Sequence, residues 1–493
     1  MKYLKLALVL LLSAPLVGTS CGTDNPLLLP SQDSPDGDQT AGLVLVARLV
    51  HVTDTHVVDP LSPARFPGAH EFTLSAWRPW ESYSTQILDG IVRTANRIHA
   101  SGTTVDFLIH TGDACDNAQS NELRWFLDVM DGREVNPLSG PDDRPVESRP
   151  PTVLDPYATF RPEGLYRSGV HGNLPSIPWY CLIGNHDRFA TGLLPIVSLP
   201  GGRRVAPLPF FDRPGLLLPT VFDPTGRLAH GNVTPAEPGP PRLFEPPVFV
   251  APNPDRAYFN RNEFIGAMFG SDSEPAGHGF ETADGRGYYS ISPAPGLRLI
   301  GLNTSDQPAP LPTGIYEAGC ISDEQSEFLR RELASAAERG ERVIVASHHP
   351  SHTLEVLHGS ALGPERFRAL LNDHPNVILH LAGHLHRNRV ADRGGYIEIE
   401  TCSTLDPPQE ARVVELWRDP VDDSLLIRYY MFSHLNDELP PLGEDPLRGL
   451  REQAWQLAEG YRRGVLRQAA TNDLVSDPLG TMEDRQGWIR LDH

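Results

Sequence analysis

The stretch "IPWYCLIGNHD", residues 177–187, contains a pattern that recurs along the sequence and indicates the fold. A short apolar run ends at Gly184, and three polar residues, Asn185, His186 and Asp187, follow it directly. A short apolar run bounded by glycine and turn residues is typical of a buried β-strand. The stretch therefore predicts a strand that leaves the hydrophobic core and presents polar side chains at its carboxyl end.

The same pattern occurs in four other stretches: "LVLVARLVHVTDTH" (43–56), "VDFLIHTGDACDN" (105–117), "ERVIVASHHPSH" (341–352) and "NVILHLAGHLH" (376–386). Taken singly, an Asp at a strand end is most often a turn former, and a lone His is most often solvated. Five clusters in equivalent positions favour a shared site instead. The polar residues after these four runs include Asp54, His56, Asp113, Asp116, Asn117, His348, His349, His352, His384 and His386.

Helical patterns lie between several of these predicted strands. Residues 81–102 place apolar side chains on one helical face, and residues 321–340 begin with the capping-box pair Ser322 and Gln325 and end at Gly340. Strands that alternate with helices indicate an α/β fold, in which ligands bind beyond the carboxyl ends of the strands. We therefore expect the five polar clusters to meet at one edge of the fold.

Seven of the clustered side chains offer oxygen and nitrogen donors without a thiolate, which suits divalent or transition ions such as Fe, Mn or Zn. Seven donors are too many for one tetrahedral ion that keeps an open position. They suit two ions that share a bridging carboxylate. The seven are Asp54, His56, Asp113, Asn185, His348, His384 and His386.

The order of these motifs resembles that of the calcineurin-like metallophosphoesterases. The matching motifs are D-x-H at 54–56, G-D-x-x-D-N at 112–117, G-N-H-D at 184–187, H-H-P at 348–350 and G-H-x-H at 383–386. The resemblance implies an α/β fold of two packed mixed β-sheets flanked by helices, a four-layer sandwich, over residues 43–435. It also implies a dinuclear metal site at the strand ends.

The resemblance further implies a role for each residue of the site. Asp113 would bridge the two ions, and His186 would be the catalytic histidine rather than a ligand. Of the two adjacent histidines, His348 is the expected ligand and His349 is the alternative. The first ion would be held by Asp54, His56 and His386, and the second by Asn185, His348 and His384.

The spacing of His384 and His386 does not by itself give this assignment. Side chains two residues apart on an extended chain project to the same side, which would suit one ion. Asp54 and His56 have the same spacing and are implied to share an ion, whereas the two histidines are implied to serve different ions.

The predicted activity is that of a phosphatase or phosphodiesterase, in which a metal-activated hydroxide attacks phosphorus in a small-molecule phosphoester. His186 would donate a hydrogen bond or proton to the leaving oxygen. Asp187 would either orient His186 or pair with Arg188. The alternative is a non-catalytic metal-binding surface lipoprotein with a structural or partner-binding role.

Composition restricts the partners of the protein. Among 493 residues, 63 are Asp or Glu and 42 are Lys or Arg, so the net charge is −21. This acidity argues against nucleic acid, or an anionic membrane surface, as the main partner. Four cysteines follow Cys21 and none is in a C-x-x-C pair, so buried thiols and disulfides both remain open.

The amino terminus is expected to direct export. Residues 1–20 place Lys2 and Lys5 before an apolar run that is too short to span a membrane, as in a signal peptide. Cys21 follows small residues, as in bacterial lipoproteins, although Gly18 stands where Leu is preferred. We expect a lipid anchor at Cys21 and a flexible tether to residue 42, with secretion as the alternative; the oligomeric state stays open.

Two long inserts are expected to form packed, cap-like elements beside the site, at about 131–178 and 188–295. The hairpin predicted over 412–435 would complete the second sheet, and the tail 436–493 would be helical. The apolar stripe of that tail is predicted at Leu450, Leu457, Tyr461 and Val465. Candidate phosphate contacts in the inserts are Arg161, Arg167, Arg203, Arg204, Arg256 and Arg261.

Overall fold

The structure of the protein is a computed structural model. It describes the following residues: 40–65, 77–102, 104–141, 154–207, 221–226, 228–230, 247–283, 285–306, 316–356, 362–435, 444–469 and 477–491. The predicted signal peptide, Cys21 and most of the predicted tether lie outside these residues, as do Phe210, Phe211 and Phe244 of the second insert.

Strands and helices alternate along much of the described chain. The strands are β1 (Val44–Val52), β2 (Phe107–His110), β3 (Trp179–Cys181), β4 (Val197–Ser198), β5 (Arg204–Pro207), β6 (Val221–Phe222), β7 (Leu228–His230), β8 (Pro247–Phe249), β9 (Tyr289–Ala294), β10 (Leu297–Gly301), β11 (Arg342–Ala346), β12 (Val377–Ala382), β13 (Arg389–Asp392), β14 (Ile397–Glu400), β15 (Glu410–Arg418), β16 (Leu425–Ser433) and β17 (Gly487–Leu491). The helices are α1 (Ser84–Ala100), α2 (Ser120–Asp131), α3 (Arg261–Met268), α4 (Asp323–Glu338), α5 (Pro364–Asn372), α6 (Arg448–Ala469) and α7 (Met482–Arg485).

Two six-stranded mixed sheets form the centre of the fold. The first has the order β17-β16-β15-β1-β2-β3, and the second has the order β13-β14-β12-β11-β10-β9. In the first sheet β1, β2 and β3 are parallel neighbours, and in the second β10, β11 and β12 are parallel neighbours. The five strands that precede the polar clusters are β1, β2 and β3 in the first sheet and β11 and β12 in the second. Within each sheet these strands run parallel to one another. The predicted α/β fold of two mixed sheets flanked by helices is confirmed.

Successive side chains along the strands of the second sheet alternate between two hydrophobic clusters, one on each face of the sheet. Ile344 and Leu379 belong to the hydrophobic core shared with the first sheet, whereas Val343 and Val345 belong to a cluster with Leu329 of α4. Strand β11 therefore buries both faces, one against the first sheet and one against helices. Full burial of one such side chain stabilises the fold by about 1.5–3 kcal/mol relative to an exposed position.

The carboxyl-terminal helix α6 packs against α1. Gly90 makes the close approach possible, because a Cβ at this position would lie 2.5 Å from the Cδ of Arg451. The predicted apolar stripe is correct at Leu450 and partly at Tyr461, but Leu457 is 41% exposed and Ala454 and Ala458 are buried instead. The side chain of Val465 lies outside the described residues.

The hairpin and the tail depart from the predictions in their sheet pairing. The predicted hairpin forms as β15 and β16, but β15 pairs with β1 in the first sheet, not with a strand of the second. The free edge of β1, opposite its parallel neighbour β2, accounts for this position. The tail is not entirely helical, because β17 pairs antiparallel with β16 and extends the same sheet.

Both inserts are joined to the loop after β1 through a buried ion pair. Arg256 of the second insert places its Nε 3.0 Å from the Oδ2 of Asp59, and neither side chain is exposed. The same guanidinium donates to the carbonyl and hydroxyl oxygens of Ser139, in the first insert. The described parts of the inserts are thus packed elements, as predicted, with Tyr258, Phe259 and Phe264 in the core.

Two further predictions concern the cysteines and the membrane. Cys115, Cys181, Cys320 and Cys402 are all buried and are not paired in disulfides among the described residues. Burial raises the pKa of each of Cys115, Cys181 and Cys402, which keeps these thiols protonated. Among the described residues, no helix has the length and apolar character needed to span a membrane.

Candidate metal centre

The five polar clusters meet at one edge of the two sheets. The loops after β1 and β2 are joined by backbone hydrogen bonds, because Asp54 N donates to Gly112 O at 3.0 Å and His56 N donates to Asp113 O at 3.0 Å. The loops after β11 and β12 are joined in the same way, from Gly383 N to His348 O at 3.0 Å. The predicted convergence at the carboxyl ends of the strands is confirmed.

One group of donors lies around the loop after β1. Single donor atoms of Asp54, His56, Asp113 and His386 all lie within 4.8 Å of one another. The Nε2 atoms of His56 and His386 are 3.0 Å apart, and the Nε2 of His386 is 3.3 Å from the Oδ1 of Asp54. These four side chains include every residue that the sequence assigned to the first ion.

A second group of donors surrounds the amide of Asn185. Its Oδ1 is 2.8 Å from the Nε2 of His348 and 3.1 Å from the Nδ1 of His384. The Nδ2 of Asn185 donates to the carbonyl of Gly192 at 3.0 Å, which leaves the oxygen directed toward the two histidines. This group contains the three residues that the sequence assigned to the second ion.

Asp113 lies between the two groups. Its Oδ2 is 3.3 Å from the Nε2 of His348 in one group and 3.6 Å from the Nε2 of His56 in the other. Its Oδ1 accepts a hydrogen bond from the backbone N–H of His186 at 2.8 Å. Gly184 is required beside it, because a Cβ there would lie 2.0 Å from the same Oδ1. The position of Asp113 suits a bridging carboxylate.

Acceptor atoms beside the outer nitrogens set the direction of three histidine lone pairs. The Nδ1 of His386 is 2.8 Å from Asp406 Oδ2, the Nδ1 of His56 is 3.1 Å from Asp116 Oδ1, and the Nδ1 of His348 is 3.0 Å from Thr111 O. Because these partners are acceptors, Nδ1 carries the proton and the Nε2 lone pair faces inward. Lone pairs and carboxylate oxygens that converge in this way fit a cation between them.

The side chain of His349 is directed differently from that of His348. Its Nδ1 is 2.8 Å from the hydroxyl of Thr304, and its Nε2 is 3.0 Å from the carbonyl of Glu317. Donor atoms of His349, His348 and His384 still lie within 4.8 Å of one another, so His349 is close to the second group. Both nitrogens of His349 contact residues outside the two donor groups, whereas the Nε2 of His348 faces Asn185 and Asp113, so the geometry favours His348 as the ligand.

The backbone at the site differs from the extended chain expected for His384 and His386. These residues have φ angles of 68° and 51°, in the left-handed region, so they do not project to one side as a strand would require. Asp54, His56 and Asp113 also have positive φ angles. Left-handed backbone at residues other than glycine is uncommon and clusters at functional sites.

Three supporting residues were missed, or given no role, in the sequence interpretation. Asp406 bonds His386, Asp116 contacts His56, and Arg78 joins the two carboxylates. The Nε of Arg78 is 2.6 Å from Asp406 Oδ1, and its Nη1 is 3.1 Å from Asp116 Oδ1. Asp116 is part of the quoted G-D-x-x-D-N motif, but no sequence pattern marks Arg78 or Asp406.

His186 and Asp187 make contacts other than the predicted pairing. The Nδ1 of His186 is 2.6 Å from the carbonyl of Asp116. Asp187 instead accepts backbone hydrogen bonds from Ala114, Cys115 and Gly184 at 2.9–3.2 Å. Neither proposed role of Asp187, orienting His186 or pairing with Arg188, occurs among the described residues.

The electrostatics of the cluster are those of a site built for positive charge. Burial opposes ionisation of Asp113 and Asp116, but neighbouring cationic groups, His348 and Arg78 respectively, hold the pKa of each carboxyl well below its usual range. Burial lowers the pKa of His348, yet the charge of Asp113 raises it to about 9. The carboxylates thus draw protons onto nearby histidines, which indicates a strongly negative local potential.

Most of the candidate phosphate contacts have other partners. Arg167 donates to a backbone carbonyl, Arg203 and Arg204 form ion pairs with Asp223 and Glu263, and Arg256 binds Asp59. Arg161 is exposed. Arg261 lines a cavity together with Arg188, which the sequence interpretation had considered only as a partner of Asp187.

A further group of possible ligands, His352, Glu398 and Glu400, has arginine partners. Glu400 lies 3.0 Å from Arg387 and 3.3 Å from Arg389, and Glu398 lies 2.5 Å from Arg393. Guanidinium groups therefore already neutralise these carboxylates.

Sequence comparison identifies the family of the protein. The sequence profile described as calcineurin-like phosphoesterase matches residues 47–388. The chain belongs to this family. It is therefore a hydrolase and a metal-dependent phosphoric ester hydrolase, as the sequence predicted.

A curated relative and several solved structures are similar to parts of the chain. The manganese-dependent ADP-ribose/CDP-alcohol diphosphatase of Xenopus tropicalis is 29% identical over 130 residues, which are 24% of this chain and 36% of that protein. The chain thus matches about a third of the length of this relative. A dimetal phosphatase from Danio rerio is 14% identical with a TM-score of 0.43, over 80% of this chain and 98% of that one. GAP50 of Plasmodium, described as the anchor in the inner membrane complex, is 10% identical with a TM-score of 0.37, over 84% and 95%.

Proposed function

We propose that the protein is a dinuclear phosphoester hydrolase that acts on small molecules. Asp54, His56 and His386 would hold one ion, and Asp113 would be shared between both. The second ion would be held by Asn185, His348 and His384. The observation that carries this proposal is the position of Asp113 Oδ2, 3.3 Å and 3.6 Å from histidine nitrogens of the two donor groups.

The donor set supports divalent or transition ions, because it combines carboxylate, amide and imidazole donors. The name of the Xenopus relative makes manganese the first ion to test. When bound, two such cations would lower the pKa of an attacking water and neutralise charge on the phosphoryl oxygens.

His186 is placed to assist the leaving group. Its Nδ1 donates to the carbonyl of Asp116, so Nε2 is the nitrogen that can contact the leaving oxygen. Proton transfer from Nε2 requires the imidazolium form of the ring. Burial lowers the pKa of His186, and the nearby carboxylates of Asp113 and Asp116 oppose that shift. Gly192 makes room for the ring, since a Cβ there would lie 2.3 Å from Nε2.

The alternative is a protein that binds metal for a structural or partner-binding purpose. A purely structural site would not need a histidine such as His186 beside the donors. The ring of His186 contacts that of His56, with 4.5 Å between centroids, and its side chain is 9% exposed. The position of this ring beside the donors favours hydrolysis.

The proposal can be tested on the full chain reconstituted with Mn²⁺, using aryl phosphate monoesters and diesters. We expect about two ions per chain in the wild type. Asn185→Ala should lose one ion and most activity, because it removes a ligand. His186→Ala should keep both ions and lose activity by about 10²–10⁴-fold, as expected for a general acid.

His374→Ala is a matched control, because His374 precedes β12 at the opposite edge of the sheet from the donors. It should retain wild-type activity. Full activity in both Asn185→Ala and His186→Ala would contradict the proposed function. Metal binding without turnover of any phosphoester would support the non-catalytic alternative.

A further inference from the structure

A cavity of about 270 Å³ is lined by two arginines next to the metal centre. Its walls are Arg188, from the loop after β3, Asp306, from the loop after β10, and Asn260, Arg261 and Asn262, at the start of α3. Ligand pockets for whole small molecules are usually about 300–1,000 Å³. A cavity of this size suits one chemical group of a larger ligand.

The cavity lies on the Asn185 side of the metal centre. Arg188 N and Phe189 N both donate to Asn185 O, at 3.1 Å and 2.8 Å, so Arg188 is in the tight turn that begins at this predicted ligand. On the other wall, Asp306 follows Thr304, whose hydroxyl is 2.8 Å from the Nδ1 of His349. One wall therefore extends from the loop that carries Asn185, and the other extends from a loop that contacts His349, the neighbour of His348.

Arg188 is a partly buried cation that forms no ion pair among the described residues, although the carboxylate of Asp306 in the same cavity acts on its charge. Its side chain forms neither an ion pair nor a hydrogen bond there, and its Nε is shielded from solvent without a partner. A buried charge is costly unless an opposite charge accompanies it. The segment 307–315, which follows Asp306 in the sequence, contains no Asp or Glu. The position is therefore prepared for an anion that the ligand supplies.

Arg261 and the start of α3 add positive potential. Arg261 forms an ion pair with Asp306 through Nη1, and its own Nε is buried without a partner. Asn260 is the N-cap residue of α3, so Arg261 and Asn262 occupy the first two helical positions. Backbone N–H groups at these positions have no acceptor within the helix and favour anions. Two guanidinium groups and one carboxylate leave the cavity positively charged in a protein of net charge −21.

We propose that Arg188, Arg261 and the amino end of α3 form a subsite for a second phosphate of the substrate, so that the enzyme prefers compounds with two linked phosphates over simple monoesters. This inference rests on the proposed function. One phosphate would lie at the metal centre and the next at the guanidinium groups. Bidentate arginine contacts are well suited to phosphate oxygens.

Calorimetric binding of ADP and AMP to the manganese-loaded full chain tests the subsite, because the two ligands differ only by one phosphate. We expect ADP to bind about tenfold more tightly than AMP, as the loss of charge-assisted hydrogen bonds would predict. Arg188→Gln and Arg261→Gln should bring the ratio of the two dissociation constants toward one. Arg124→Gln should keep the wild-type ratio, since Arg124 is half-exposed on α2 and pairs with Asp255.

Asp306→Asn is expected to change ADP affinity in the opposite direction from the arginine variants. Removing the one carboxylate of the cavity should tighten ADP binding several-fold and leave AMP binding nearly unchanged. Because Asp306 and Arg261 are each about one-third exposed, their variants should fold even if Arg188→Gln does not. Thermal denaturation checks the folding of each variant.

The outcomes separate this inference from the proposed function. Equal binding of ADP and AMP to the wild type, or an unchanged ratio in both arginine variants, would overturn the subsite while leaving hydrolysis of aryl phosphates intact. Tight, Arg188-dependent ADP binding in a protein that hydrolyses no phosphoester would support the subsite and reject the proposed function.

Discussion

The two donor groups of the metal centre are supported by different chemistry. The histidines around Asp54 contact carboxylates, those of Asp406 and Asp116, and Arg78 joins the pair. The donors around Asn185 contact backbone carbonyls instead, those of Thr111 and Gly192. One half of the centre is therefore supported by carboxylates that an ion-paired arginine joins, whereas the other half is supported by backbone carbonyls.

This difference indicates that the two ions would not be equivalent. A carboxylate that accepts a proton from the outer nitrogen of a histidine makes the inner nitrogen a stronger ligand than a carbonyl does. The half that contains Asp54 should therefore bind its ion more tightly. The half that contains Asn185 should exchange its ion more readily, and it is also the half beside the Arg188 cavity.

Replacing the shared carboxylate should have the largest effect, because it removes a ligand from both halves. We expect Asp113→Ala to lower activity by roughly 10³-fold or more, since loss of even a single stabilising group in an active site costs about 10²–10³-fold. Metal content and aryl phosphate turnover would be measured together. Loss of only one ion, with the other retained at full affinity, would contradict the bridging role.

Removing one supporting carboxylate should affect only the half that contains Asp54. Asp406→Asn should lower the affinity for one of the two ions by about 10–100-fold, the usual effect of losing a hydrogen-bond partner of a ligand histidine. Manganese titration followed by mass spectrometry of the metal content measures this change. Asp392→Asn is a control that should leave both affinities unchanged, because Asp392 is the exposed last residue of β13. An equal loss of affinity for both ions would contradict the proposed difference between the two halves.

The smallest predicted effect is a difference in how readily a chelator removes the two ions from the wild-type protein. Increasing EDTA should remove the two ions in two phases, separated by about tenfold in chelator concentration if each carboxylate partner contributes at the low end of its range. The Asn185→Ala protein should lack the early phase, and the Asp406→Asn protein should show phases that lie closer together. A single phase in the wild type would show that carboxylate partners and carbonyl partners of the ligands give the two ions equal affinity.

The sequence predicted the positions of the donors well because strand ends leave a local signal. Each apolar run that enters the core must stop before its first charged residue, so the place where Asp54 or His348 leaves the sheet is visible in a dozen residues. Parallel strands then bring these ends to one edge without further information. The family profile and the observed sheet order agree with that reasoning.

The supporting contacts could not be predicted in the same way. Arg78 and Asp406 are 328 positions apart and meet only after the first sheet and the loop after β14 are assembled. An extended chain would project His384 and His386 to the same side, but both have left-handed backbone, which residues other than glycine uncommonly adopt. Arg188 likewise gave no local signal, because its lack of an ion pair among the described residues is a property of the folded cavity.

The Arg256–Asp59 ion pair limits how the inserts can be exchanged between related enzymes. A chimaera that received another insert in place of the second would leave Asp59 as an isolated charge in the interior, three residues after His56. Breaking such a buried pair costs about 3–5 kcal/mol, which is a large part of the 5–15 kcal/mol that holds a typical domain together. Grafting a new specificity onto this scaffold therefore requires either an arginine at the equivalent position or a simultaneous neutral replacement of Asp59.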